Sequence, residues 1–129
     1  MLKLIEEGDV RAASAVGAMV RLGDTRAIAP LVRYLLSEDP RGFHIANIAG
    51  RLIADFQGAG YVALEPLTIH PDKEIRRRAL IGIGDLALAK ERSVKIKARE
   101  LLRRLITIEP DAELRRTIGI FVDVAGNKR

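Results

Sequence analysis

The sequence predicts an all-α protein, an α-α superhelix of antiparallel helix pairs, on three observations. Apolar residues recur at i, i+3, i+4 and i+7 along the chain, and no segment alternates as a strand does. Short turns rich in Gly, Pro and Asp separate these stripes. The turns also return about every 33 residues, the kind of period that marks a solenoid.

Taken in order, residues 1–8 read as the last turn of a second helix, with Leu2 and Ile5 on one side. A first repeat over about 9–39 opens at Val10-Arg11, turns at Gly23-Asp24 and continues through Ile28, Leu31, Val32 and Leu35. The second, about 40–70, follows Asp39-Pro40-Arg41-Gly42 and opens at Phe43-His44. Its stripe is Ile45, Ile48, Ala49, Leu52, Ile53 and Phe56, ending in an irregular Gln57-Gly58-Ala59-Gly60 turn. The third, about 71–108, opens at Ile75-Arg76 and carries Ala79, Gly82, Ile83 and Leu86, then Val94, Ala98, Leu101, Leu102 and Leu105. A terminal half repeat, 109–129, starts at Glu109-Pro110-Asp111 and runs through Leu114, Ile118, Phe121, Val122 and Ala125. The whole chain, 1–129, is expected to form one domain. Gly17, Gly50, Gly82 and Gly119 recur inside first helices, where a missing side chain lets a neighbouring helix approach closely.

Repeat one reads Val10-Arg11-Ala12-Ala13, then Arg21-Leu22-Gly23-Asp24 and Ala27-Ile28-Ala29-Pro30-Leu31. Repeat three offers Ile75-Arg76-Arg77-Arg78-Ala79 and Gly82-Ile83-Gly84-Asp85-Leu86-Ala87. This pattern resembles the HEAT-like repeats of the phycobilisome lyase type, with a Val-Arg start, a small-residue helix, a Leu-Gly-Asp turn and a second helix near Ala-Ile-x-Pro-Leu. Repeat two departs from it, with Phe43-His44 in place of Val-Arg. The resemblance implies a short right-handed HEAT-like solenoid and an interaction scaffold, with Arg76 pairing with an acid of a neighbouring repeat.

At 129 residues, 48% apolar and 30% charged, the chain is long enough for one core without a disulfide or a structural metal. It has no cysteine, which excludes thiol catalysis, zinc fingers and iron–sulfur clusters. No apolar run has the length of a signal peptide or a membrane span, so a cytoplasmic protein is expected. The side chains with catalytic potential point to structure instead. Neither His44 nor His70 is followed by glutamate, so the His-Glu pairs of the di-iron hydroxylases built on HEAT repeats are missing. The acidic groups Glu6-Glu7-Asp9, Glu38-Asp39, Asp72-Glu74 and Glu109-Asp111-Glu113 recur at repeat boundaries, where Asp caps free N–H groups and negative charge complements the helix dipole. Gly82-Ile83-Gly84-Asp85-Leu86-Ala87 matches a dinucleotide fingerprint in letters only, because it follows no strand and lies inside a helical stripe. No enzyme activity, cofactor or metal is expected.

The strong asymmetry is electrostatic. Residues 73–104 hold 11 basic against four acidic residues, while the formal net charge of the whole chain is +5. Lys95, Arg99 and Arg103 fall at i, i+4, i+8, opposite the Leu101/Leu105 face, with Arg104 beside them. The resemblance puts second helices on the concave face, so these four residues are the expected partner-binding set, with Arg99 and Arg103 facing solvent. An acidic protein surface is the favoured partner. A nucleic acid is the alternative, weakened by the lack of tryptophan and of any aromatic between Lys73 and Arg104. A bilin-lyase-like activity stands third on the resemblance alone, and a merely solvated basic face is the reading without a ligand. In the last helix Phe121, Val122 and Val124 cannot all face repeat three, so self-association or a longer repeat array is expected.

Overall fold

A computed structural model of the chain describes residues 18–37 and 43–127, the side chains of 43–47 and 127 excepted. Expectations for residues 1–17, including Val10-Arg11 and Gly17, for the Asp39-Pro40-Arg41-Gly42 turn and for the acidic pair Glu38-Asp39 lie outside the described residues. Among the described residues every regular element is helical and no strand occurs. None of the described helices is long and apolar enough to cross a membrane.

Helical residues 18–21 end at Gly23, whose φ of +67° suits glycine. Gly23 N donates to Val20 O and Asp24 N to Met19 O, the paired bonds of a Schellman ending. Asp24 then restarts the chain, accepting from Arg26 N at 3.1 Å to cap a 3-10 turn over Thr25–Ala27. This explains the Leu-Gly-Asp sequence: one residue stops a helix and the next starts another. Helix α1 follows at Ile28–Leu36, and α2 spans Phe43–Ala54. After α3 at Gly58–Leu64 and a 3-10 segment at Glu65–Ile69 come α4 at Lys73–Leu86, α5 at Arg92–Ile108 and α6 at Ala112–Asn127.

The segment Gln57-Gly58-Ala59-Gly60 differs from its expectation. The turn is over by Gln57, which takes a positive φ of 53°, and both glycines belong to α3. Gly60 lies so close to the Ile53 carbonyl that a Cβ would collide with it. Packing on α2 therefore overrides the low helix propensity of glycine.

Helix α4 is the centre of the described residues. It packs on α2 along one flank, on α3 and the 65–69 segment, and on α5, with α6 touching it further along. The α2–α4 contact is set by Gly50 and Gly82. An alanine at 82 would place its Cβ 2.5 Å from Gly50 O and 2.6 Å from a Leu64 methyl, and one at 50 would drive into the Arg78 carbonyl. Gly119 does not repeat this role, since a Cβ there meets only an Ile106 methyl at 3.7 Å. The near approach of α6 to α4 uses Gly84 instead, against the Phe121 ring. Around these contacts Leu31, Leu35, Ile53, Leu64, Leu80, Ile83, Leu86, Leu102, Leu114 and Ile118 are buried.

One charged side chain crosses this core. Arg78, only 8% exposed, donates from Nη1 to Leu35 O at 2.7 Å and to Ser37 O at 3.1 Å, satisfying carbonyls at the end of α1. It ties together segments more than 40 residues apart.

The glycines separate two outcomes. Gly82→Ala is expected to lower unfolding free energy by about 1–3 kcal/mol or more through overpacking. Gly119→Ala, which meets no close atom, is expected to be neutral or to raise it by about 0.5–1 kcal/mol through helix propensity. Urea denaturation of both variants measures the contrast.

Candidate functional site

Two turns share a sequence. Thr68-Ile69-His70-Pro71-Asp72-Lys73-Glu74-Ile75-Arg76-Arg77 returns as Thr107-Ile108-Glu109-Pro110-Asp111-Ala112-Glu113-Leu114-Arg115-Arg116. They also share a geometry. Asp72 caps α4 by accepting from Glu74 N and Ile75 N, and Asp111 caps α6 by accepting from Leu114 N at 2.9 Å. Arg76 Nη1 donates to His70 O and Pro71 O, and Arg115 Nη1 does the same to Glu109 O and Pro110 O. His70 Nδ1 accepts from Asp72 N at 3.0 Å, just as Glu109 Oε2 accepts from Asp111 N. His70 is therefore engaged in the turn itself. The described acidic groups at these boundaries cap helices and pair with cations, and among the described residues no cluster of three or more His, Asp or Glu side chains forms a metal-sized group.

The turns are joined by charge. Arg76 Nε donates to Glu109 Oε1 at 2.9 Å and Nη2 to Oε2 at 3.2 Å, a two-pronged pair with both side chains nearly buried. Arg76, expected to pair with an acid of a neighbouring repeat, pairs with Glu109 of the next turn. Lys73 adds Asp111 at 3.2 Å and Glu113 at 3.5 Å, and the Asp111 hydrogen bond raises the pKa of the lysine. On the outer face of α4, Arg77 binds Glu74 and holds its carboxyl below the usual range.

A groove lies between the turns. Its wider part, about 650 Å³, is lined by Glu65, Pro66, Thr68, Ile69, Leu101, Arg104, Leu105, Thr107 and Ile108. A continuation of about 280 Å³ shares Thr68, Ile69, Leu105 and Ile108 and reaches His70, Arg76 and Glu109. Ile69 and Ile108 hold equivalent places in the repeated turn sequence and stay 66% and 61% exposed. On the α3 side, the buried Tyr61 donates to Glu65 Oε2 at 2.6 Å. Burial first, then that hydrogen bond, pushes its phenol up to about 12, so it stays protonated and fixed at neutral pH.

The four basic residues of α5 do not form one row open to solvent. Arg99 is half-buried and its Nε donates to Ala87 O at 3.0 Å, beyond the end of α4. The expectation of a solvent-facing Arg99 is corrected on this point: the guanidinium satisfies a helix-end carbonyl of its own chain. Lys95 is also half-buried, whereas Arg103 and Arg104 are exposed. Arg104 turns into the groove, next to Glu65 and near Tyr61. The groove itself was not expected from the sequence. Its signal was the repeated Thr-Ile-x-Pro-Asp, which places one isoleucine at the same exposed site in each turn.

A second, smaller cleft of about 190 Å³ lies where α4 meets α6, lined by Gly84, Asp85, Leu88, Ile120, Phe121 and Val124. Burial raises the Asp85 carboxyl above its ordinary range, with Arg51 at 3.9 Å opposing the shift in part. No protein-family model, no curated protein and no solved structure matches the chain.

Two results follow from these charges. Removing Glu109 leaves Arg76 nearly buried without its carboxylate, so Glu109→Ala is expected to lower unfolding free energy by about 3–5 kcal/mol. Denaturant unfolding reads this directly. For Asp85 the folded pKa lies above the unfolded one, so its ionisation costs stability as pH rises from the unfolded pKa through the folded one. Asp85→Asn is expected to raise the Tm at pH 7 and to lose that advantage below the unfolded carboxylate pKa, as a pH series of thermal melts would record.

Proposed function

We propose that the chain is a non-catalytic HEAT-like repeat scaffold that holds an acidic, amphipathic protein segment in the groove between the 65–71 stretch and α5. The observation that carries this reading is the pair Ile69 and Ile108, exposed at equivalent turn positions on either side of a groove with Arg104 in its wall. Exposed isoleucines held by a buried, ion-paired turn are pre-ordered apolar anchors, and ordering them in advance lowers the entropy cost of binding. Arg104, with Arg103 next to it, supplies positive charge within the strongly basic 73–104 region, which favours a carboxylate-bearing partner and speeds its association. Lys95 and Arg99 lie toward the N-terminal end of α5, and Arg99 contributes through the fold by its bond to Ala87 O.

The repeat reading is supported by the two turns of one sequence and one hydrogen-bond pattern, and by the backbone-to-backbone contact of successive first helices, α2 and α4. A unit that buries its apolar face only against its neighbours belongs to solenoid architecture. A protein partner is preferred over nucleic acid because Tyr61 is buried and tied to Glu65, so that its ring is closed to stacking on a base.

The test uses a fluorescent peptide alternating Glu and Leu, with a random duplex DNA as competitor. The peptide is expected to bind, and Arg103→Glu with Arg104→Glu to weaken it at least about tenfold, or 1.4 kcal/mol, at unchanged helicity. Ile108→Asp is expected to weaken it similarly. Duplex DNA binding whose logarithm falls with the logarithm of salt at about −0.9 per phosphate, with no peptide binding, would overturn the reading in favour of a nucleic-acid module.

A further inference from the structure

The outer side of α6 carries a stripe that serves neither the core nor the groove. Arg116, Ile120 and Val124 stand at i, i+4, i+8, on one face of the helix, with Asp123 adjoining. Ile120 is 55% exposed and Val124 39%, while Phe121 and Val122 turn inward against the core. Leu88 of the α4 end, also exposed, continues the apolar surface across the cleft floored by Gly84 and Phe121. Among the described residues neither Arg116 nor Asp123 has an ion-pair partner. Both lie in the middle of α6, outside its first and last turns.

We propose that this face pairs with the same face of a second copy, the two α6 helices running antiparallel about a twofold axis near Ile120. An isologous interface must be self-complementary, and this stripe is. With Ile120 at the axis, antiparallel register sets Arg116 beside Asp123 and Val124 of the partner subunit, and Asp123 beside the partner subunit's Arg116. Each charge then meets its opposite. A like-charged or a parallel partner would not gain these pairs. The 16-residue helix is about 24 Å long, so the contact falls at the small end of stable interfaces and the dimer is reversible, dissociating in the micromolar range.

Sedimentation equilibrium of the full chain from about 1 µM to about 1 mM tests this. The intact protein is expected to pass from monomer to dimer over that range. Ile120→Asp is expected to remain monomeric. Arg116→Asp and Asp123→Arg, each at an exposed position of α6 where the monomer makes no ion pair, are each expected to weaken dimerisation at least about tenfold. The double variant, Arg116→Asp with Asp123→Arg, is expected to restore it, since the swap re-creates both pairs. Helicity by circular dichroism is expected to be equal in all five proteins. A monomeric intact protein over the whole range overturns the proposal, as does a dimer indifferent to Ile120→Asp or a double variant as weak as the singles.

Discussion

The distance between α2 and α4 is the constraint on which the rest of the described structure depends. With hydrogen in place of a side chain at Gly50 and Gly82, the two backbones touch, and the Leu64 methyl closes over the same spot. That contact draws α3 and the 65–69 segment against α4 and holds α1 within reach of it. Arg78 exploits the closeness. Its guanidinium spans from α4 to the last carbonyls of α1, a bond that a helix spacing wider by even one methyl group would strain. Burial of such a charge is costly unless its donors are used; here the C-terminal carbonyls of α1 accept from Nη1, while the buried Nε has no hydrogen-bond partner and faces Glu74 Oε1 at 3.9 Å.

From that spacing follows the alignment of the two turns. Helices α4 and α6 begin in the same manner, with X-Pro-Asp before the helix and an arginine returning to the turn carbonyls. Proline fixes the chain direction, aspartate satisfies the first free N–H groups, and arginine satisfies the carbonyls on the other side of the bend. The Arg76–Glu109 pair then fixes one turn against the next. Being nearly buried, the pair adds little net stability over an apolar equivalent, but it discriminates strongly against any other register, since sliding the turns leaves an unpaired charge inside.

How much of this was legible follows from which residues face inward. Helices α1, α2, α4, α5 and α6 could be read because each presents an apolar stripe to the core, and the stripes fall within the observed bounds except in α2, which ends at Ala54 before Phe56 and leaves Ile48 exposed. The α3 helix could not, because Gly58 and Gly60 break both propensity and periodicity while a contact with the Ile53 backbone, remote from local sequence rules, fixes the conformation. Gly50 and Gly82 were legible as a pair from their spacing. Gly119 was misleading: a Cβ there would meet only an Ile106 methyl, and α6 makes its close contact with α4 through Gly84 and Phe121. On the surface, spacing identified the α5 cations but not their surroundings. Arg99 lies one helical turn from Arg103, yet only the end of α4 at Ala87, placed by tertiary packing, decides that one is half-buried and the other open.

The same turn sequence accounts for both the rigid and the available parts of the groove. In Thr-Ile-x-Pro-Asp, the proline and the aspartate belong to the fold, and in the first copy the threonine does too: Thr68 is buried and donates to Glu65 O at 2.6 Å. Thr107 repeats the bond to Arg104 O from an exposed position. The isoleucine between them has no such duty. Its neighbours on both sides are held by hydrogen bonds, so its backbone is fixed, while its side chain points away from the core at 66% and 61% exposure. A large apolar group retained outside a core contributes nothing to folding free energy through burial in the monomer. Two of them at one structural position, lining a groove that also takes in Arg104, place exposed apolar surface beside a positive charge.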